Sequence, residues 1–140
     1  MAQSHSALPV SLPDYLESQH SLLISGEYWN CLTAAKIIAR RLLAEGRRPW
    51  IARLRKTELR GDAVFHVPLT PPALKLLRTW NTHYVCCCDE VAYEPVVGGK
   101  VPLESYSADV FEQEIDLEVF VSVHDLPDYV SEGDNTNMKS

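Results

Sequence analysis

Three side chains in this sequence are of the types that together carry out nucleophilic acyl transfer: Cys31, His83 and Glu94. A thiol attacks as its thiolate, and two local features lower its pKa: the partial positive charge at a helix N-terminus and a nearby imidazole. Cys31 opens a run in which Ala34, Ala35, Ile38 and Leu42 recur at helical spacing. Asn30 is a suitable N-cap, which puts Cys31 at the first helical position, and Gly46 is placed to end the helix. With His83 beside it, the thiol has a group to take its proton and later deliver it to a leaving group. Glu94 would then hold the ring's tautomer and orientation. Backbone N–H groups at the start of the same helix are available for a developing oxyanion.

The element that must bring His83 and Glu94 together is a predicted β-hairpin running from Trp80 to Pro95, rich in Val, Tyr, Cys and Thr. Side chains alternate faces along a strand, so His83, Val85 and Cys87 share one side. If Cys88 pairs with Val91 across a two-residue Asp89-Glu90 turn, then Ala92, Glu94 and Val96 fall on that side too. Glu94 is then diagonal to His83, within reach of a long side chain. Asp89 is the rival acid, but a turn is where acidic residues ordinarily sit. Cys86, Cys87 and Cys88 are neighbours that diverge on a strand, so neither a disulfide framework nor a metal site is expected from them. Free thiols, no metal and no cofactor are the expectation.

Elsewhere, Pro13 to Glu17 starts a short helix that Ser25-Gly26 breaks, with Leu16, Leu22, Leu23 and Ile24 available for packing. Trp50 to Arg55 reads as a strand, Thr57 to Asp62 as a reversal, and Ala63 to Val67 as its partner strand. Pro68, Pro71 and Pro72 forbid continuous sheet, leaving a loop or short helix around Ala73 to Thr79. Gly98 to Leu103 is expected to be a flexible return, Ser105 to Glu112 one or two helical turns, and Ile115 to Val123 a half-exposed strand. The order predicts an α+β fold, an antiparallel sheet packed against the helix that carries Cys31. Residues 1–130 are expected to form one domain and 131–140 a disordered tail.

The run Trp29-Asn30-Cys31 before an Ala-rich helix, the later His83, the acidic turn and Tyr93-Glu94-Pro95 resemble the papain-like and transglutaminase-like cysteine enzymes. Within that superfamily the chain is most similar to compact bacterial papain-fold domains and to glutamine amidases, over roughly Gly26 to Val123. The resemblance implies a papain-like fold and a cysteine hydrolase, an amidase, deamidase or peptidase, acting on a protein, peptide or small amide substrate. Carried over, Cys31 is the nucleophile, His83 the base and Glu94 the acid of a catalytic triad. A papain-type oxyanion hole uses a Gln a few residues before the cysteine. Here the nearest is Gln19, twelve positions upstream, so the hole falls to backbone, Asn30 or Gln19. Trp29 and Trp80 flank the dyad and would wall a substrate cleft.

The net charge of −6 argues against a uniform nucleic-acid binder. Yet eight of the thirteen basic residues lie between Arg40 and Arg60, while ten of the nineteen acidic ones follow position 103. The alternative reading is therefore a non-enzymatic binding module, or a degenerate papain-like domain, holding an acidic protein or nucleic acid on an Arg-rich face. No apolar run approaches the ~20 residues that span a bilayer, and no signal peptide is evident, so no membrane partner and a cytoplasmic location are expected.

Overall fold

In the computed structural model of the protein, the described residues are 11–25, 30–55, 65–66, 79–80, 82–111 and 116–131. Two helices come first, α1 (Leu12–Ser25) and α2 (Cys31–Ala44). Seven strands follow: β1 (Trp50–Arg55), β2 (Phe65–His66), β3 (Thr79–Trp80), β4 (His83–Cys88), β5 (Val91–Glu94), β6 (Gly99–Pro102) and β7 (Asp116–Val121). Between β6 and β7 lie a 3₁₀ turn (Leu103–Ser105) and a single π-helical turn (Ser107–Phe111). Residues 126–131 form a last short helix. The main sheet has the order β6-β5-β4-β1-β7, every neighbouring pair antiparallel, and β2 and β3 make a separate two-stranded ribbon. The fold class is α+β, as expected. No helix among the described residues is long and apolar enough to cross a membrane.

Both α1 and α2 start where the sequence provides a cap. Ser11 Oγ accepts the Asp14 N–H at 3.2 Å at the head of α1, and Asn30 Oδ1 accepts the Thr33 N–H at 3.0 Å at the head of α2. Gly46 ends α2 with φ +80°, its N–H donated to the Leu43 carbonyl, a left-handed cap open to glycine at little cost.

The sheet is covered on both faces because its central strands are apolar on both. On one side Ala35, Ile38, Ala39 and Leu42 of α2 pack with Leu12 and Leu16 of α1 against Ile51, Cys86, Cys88 and Tyr93. On the other, Leu23, Val85, Cys87, Ala92 and Val96 meet Tyr106, Val110 and Phe111. Complete burial of Ile38 and Leu42 contributes about 1.5–3 kcal/mol each. This is what ties α2 to the sheet and sets the height of its first residue. Within α1 the packing falls on Leu16 and Leu23, while Ile24 is exposed.

Two expectations need correction. Phe65–His66 does not partner β1: it pairs with Thr79–Trp80, because β4 and β7 take both edges of β1. The expected flexible return contains β6, since the outer edge of β5 is open and Gly99 to Pro102 pairs with it residue for residue. The bend before it is fixed from outside. Gly98 has φ +74°, and a Cβ there would lie 3.3 Å from the His20 Cβ, so glycine answers both the backbone angle and the close approach of α1. The His20 ring also hydrogen-bonds the Pro95 carbonyl at 3.2 Å. Ser131, the first residue of the expected tail, closes the last helix. The rest of that tail, the reversal at Thr57 to Asp62 and the loop or helix expected from Ala73 lie outside the described residues, except that Thr79 is in β3.

Candidate active site

The β4–β5 hairpin has the expected register: Cys88 pairs with Val91, Cys87 with Ala92 and Cys86 with Tyr93. Asp89 and Glu90 turn with φ of 54° and 68°, the positive pair that a two-residue hairpin turn of the favoured twist requires. That register puts His83 and Glu94 on one face, and their side chains meet, His83 Nε2 lying 3.0 Å from Glu94 Oε1. Both residues are 0% exposed. Glu94 Oε2 accepts the Val96 N–H at 3.1 Å, and the Tyr106 hydroxyl donates to Oε1. Phe111 sits edge-on to the imidazole, ring centroids 5.6 Å apart.

Cys31 is the first residue of α2, as the Asn30 cap implies, and is only partly buried. It meets β4 where that strand begins, close enough to the His83 side chain and the Tyr84 backbone for both to act on its thiol pKa. With Nε2 committed to Glu94, Nδ1 is the ring nitrogen left for the thiol proton. The electrostatics of thiol and ring oppose their burial. Burial pushes the Cys31 pKa up, but the neighbouring His83, with its positive charge, outweighs it and holds the thiol below its ordinary value. Burial pushes His83 down, but the charge and hydrogen bond of Glu94, with the neighbouring Cys31, raise it to about 10. The two shifts point the same way, to a thiolate beside an imidazolium.

The remaining cysteines behave differently. Burial pushes the thiols of Cys86, Cys87 and Cys88 up, and none has an imidazole beside it to bring it down. Asp89, the rival acid, stands at the turn with its side chain 70% exposed, paired to Arg47 at 2.6 Å. The acid at the imidazole is Glu94. Asn30 serves as the cap that places Cys31, through its Oδ1. Gln19 is half-buried in the middle of α1, in line with Leu12, Leu16 and Leu23. Trp29 lies outside the described residues, and Trp80 is in β3 with its side chain outside them.

Sequence reasoning missed Tyr106. The signal was indirect: a buried carboxylate needs donors for both oxygens, and Tyr106 is the one tyrosine in the apolar-and-polar segment Leu103 to Glu112 that follows β6. Among the described residues, three arginines of the basic run face carboxylates. Arg41 pairs with Glu45 at 2.9 Å, Arg47 with Asp89 at 2.6 Å and Arg53 with Glu118 at 2.7 Å. A cavity of about 480 Å³ lies at the far end of α2 from Cys31, lined by Leu12, Leu16, Arg41, Arg47, Tyr93 and Lys100 among others. No residue of the Cys31 site lines it, and two of its cations are already held by Glu45 and Asp89. Among the described residues no cluster of His, Cys, Asp and Glu could hold a metal ion. The chain matches no protein-family model, no curated protein and no solved structure.

Proposed function

We propose that this protein is a cysteine-dependent acyl-transfer enzyme of the papain-like or transglutaminase-like kind, acting on amide bonds as an amidohydrolase, deamidase or peptidase. The observation that carries the reading is the meeting of three side chains: Cys31 at a helix N-terminus, His83 close enough to lower its thiol pKa, and Glu94 hydrogen-bonded to His83. The Cys31 thiolate attacks the amide carbonyl carbon, forming a C–S bond as the carbonyl electron pair moves to oxygen. The amides of Cys31 and Leu32, at the open end of α2, receive that oxyanion. Collapse expels the amine or ammonia, which takes its proton from the His83 imidazolium. Neutral His83 then removes a proton from water, and the hydroxide attacks the thioester, releasing the carboxylic acid and restoring thiolate and imidazolium. Glu94 keeps the ring aimed and balances its charge throughout.

A binding module built on the arginine run has weaker support, because Arg41, Arg47 and Arg53 already face carboxylates. The test is to incubate the protein with glutamine-containing peptides and follow ammonia release, peptide mass and cleavage, with Cys31→Ala as control. Deamidation or cleavage that vanishes in Cys31→Ala, with a thioester trapped on Cys31, is the expected result. A Cys31 thiol that forms no acyl adduct with any amide or activated ester would overturn the reading.

A further inference from the structure

Glu94 has one more side-chain torsion than an aspartate would, and each added torsion gives the carboxylate more ways to miss the ring. The structure limits this freedom at both oxygens. Oε2 is held by the Val96 N–H of its own chain segment, whereas Oε1 takes both His83 Nε2 and the Tyr106 hydroxyl. Tyr106 is itself fixed. It is fully buried, its N–H returns to the Leu103 carbonyl, and it leads directly into the π-helical turn Ser107–Phe111. Single π turns are rare and concentrate at functional sites. Here the turn brings Phe111 edge-on to both rings, 6.0 Å from Tyr106 and 5.6 Å from His83, so that one short segment closes over the His83–Glu94 pair.

We propose that Tyr106 is a positioning residue of the Cys31 site, its hydroxyl fixing Glu94 Oε1 so that the carboxylate meets His83 Nε2 and keeps the imidazole aimed at the sulfur. The role rests on the acyl-transfer reading above. The titratable groups around Glu94 are His83 and Cys87 from β4, Cys31 from α2 and Tyr106 itself. Loss of the hydroxyl leaves Oε1 with one donor and a freer carboxylate. The imidazolium is then less well held, and the thiolate that depends on it is too.

The experiment measures the rate of Cys31 alkylation by iodoacetamide against pH in wild type, Tyr106→Phe, Glu94→Gln and the double variant, with site-resolved mass spectrometry. Tyr106→Phe should raise the pH midpoint of Cys31 reactivity by about one unit. Glu94→Gln should raise it at least as far, and adding Tyr106→Phe to Glu94→Gln should shift it no further, since the hydroxyl acts through the carboxylate. An unmoved midpoint in Tyr106→Phe, or an equal shift in both backgrounds, overturns the positioning role and leaves the acyl-transfer reading standing. A wild-type midpoint at the ordinary thiol value of about 8.5 overturns both. Proton NMR of the wild type is a check independent of any variant's folding: a Tyr106 hydroxyl proton protected from exchange is expected, and its rapid exchange with water would count against the role.

Discussion

His83 Nε2 and Glu94 Oε1 lie 3.0 Å apart inside a core from which water is excluded, joined across the β4–β5 hairpin by side chains on the same face. A buried ion pair of this kind is a poor source of stability, since desolvating two charges costs as much as their attraction returns. Its value is directional: it commits one ring nitrogen and leaves the other to the thiol.

The first consequence is a division among the thiols. Iodoacetamide at mildly acidic pH should label Cys31 at least about 100-fold faster than Cys86, Cys87 or Cys88, because Cys31 alone is partly exposed and held toward its thiolate. Peptide mapping after timed quenching reads this out. Labelling at equal rates would contradict it.

The two acids of the hairpin should separate cleanly. Glu94→Gln is expected to lower turnover by about 10²–10⁴-fold, the range for disabling an acid–base relay. Asp89→Asn should leave the pH profile of Cys31 alkylation where it is, because Asp89 faces Arg47 at the exposed turn. Kinetics on the two purified variants decide the matter.

Stability should depend on pH through His83. Its folded pKa, raised to about 10, stands above the unfolded value of 6.5. The resulting stabilisation is complete below pH 6.5 and is lost as pH rises towards 10. Cys31 titrates in the opposite sense, so the measurement belongs in Cys31→Ser, where the Glu94 charge still raises His83 and the thermal unfolding temperature should fall as pH rises above 6.5. Replacing His83 by Gln in the same background should flatten the decline.

Two backbone substitutions test the elements that carry the site. Asn30→Ala removes the acceptor for the Thr33 N–H and should cost about 1 kcal/mol, while slowing Cys31 alkylation as the first turn of α2 loosens. Glu90→Gly relieves a non-glycine residue held at φ 68° and should stabilise by about 1 kcal/mol with alkylation unchanged. Chemical denaturation of each variant supplies the numbers.

Local rules determined a large part of this protein from the sequence. The Asn30 cap, the apolar spacing behind Cys31, the hairpin register set by Asp89-Glu90 and the resulting shared face of His83 and Glu94 all depend on neighbours in the chain, and all are seen in the structure. What pairs with what over longer distances was decided only in three dimensions. Both edges of β1 went to β4 and β7, displacing Phe65–His66, and β6 formed because β5 had an open edge to offer. Tyr106 belongs to the same class. Nothing adjacent to it in sequence requires a buried tyrosine, and its partner became visible only when the turn after β6 folded back over a carboxylate that needed a further donor. Hydrogen-bond demand in a core is a property of the assembled volume, so no local pattern in the chain records it.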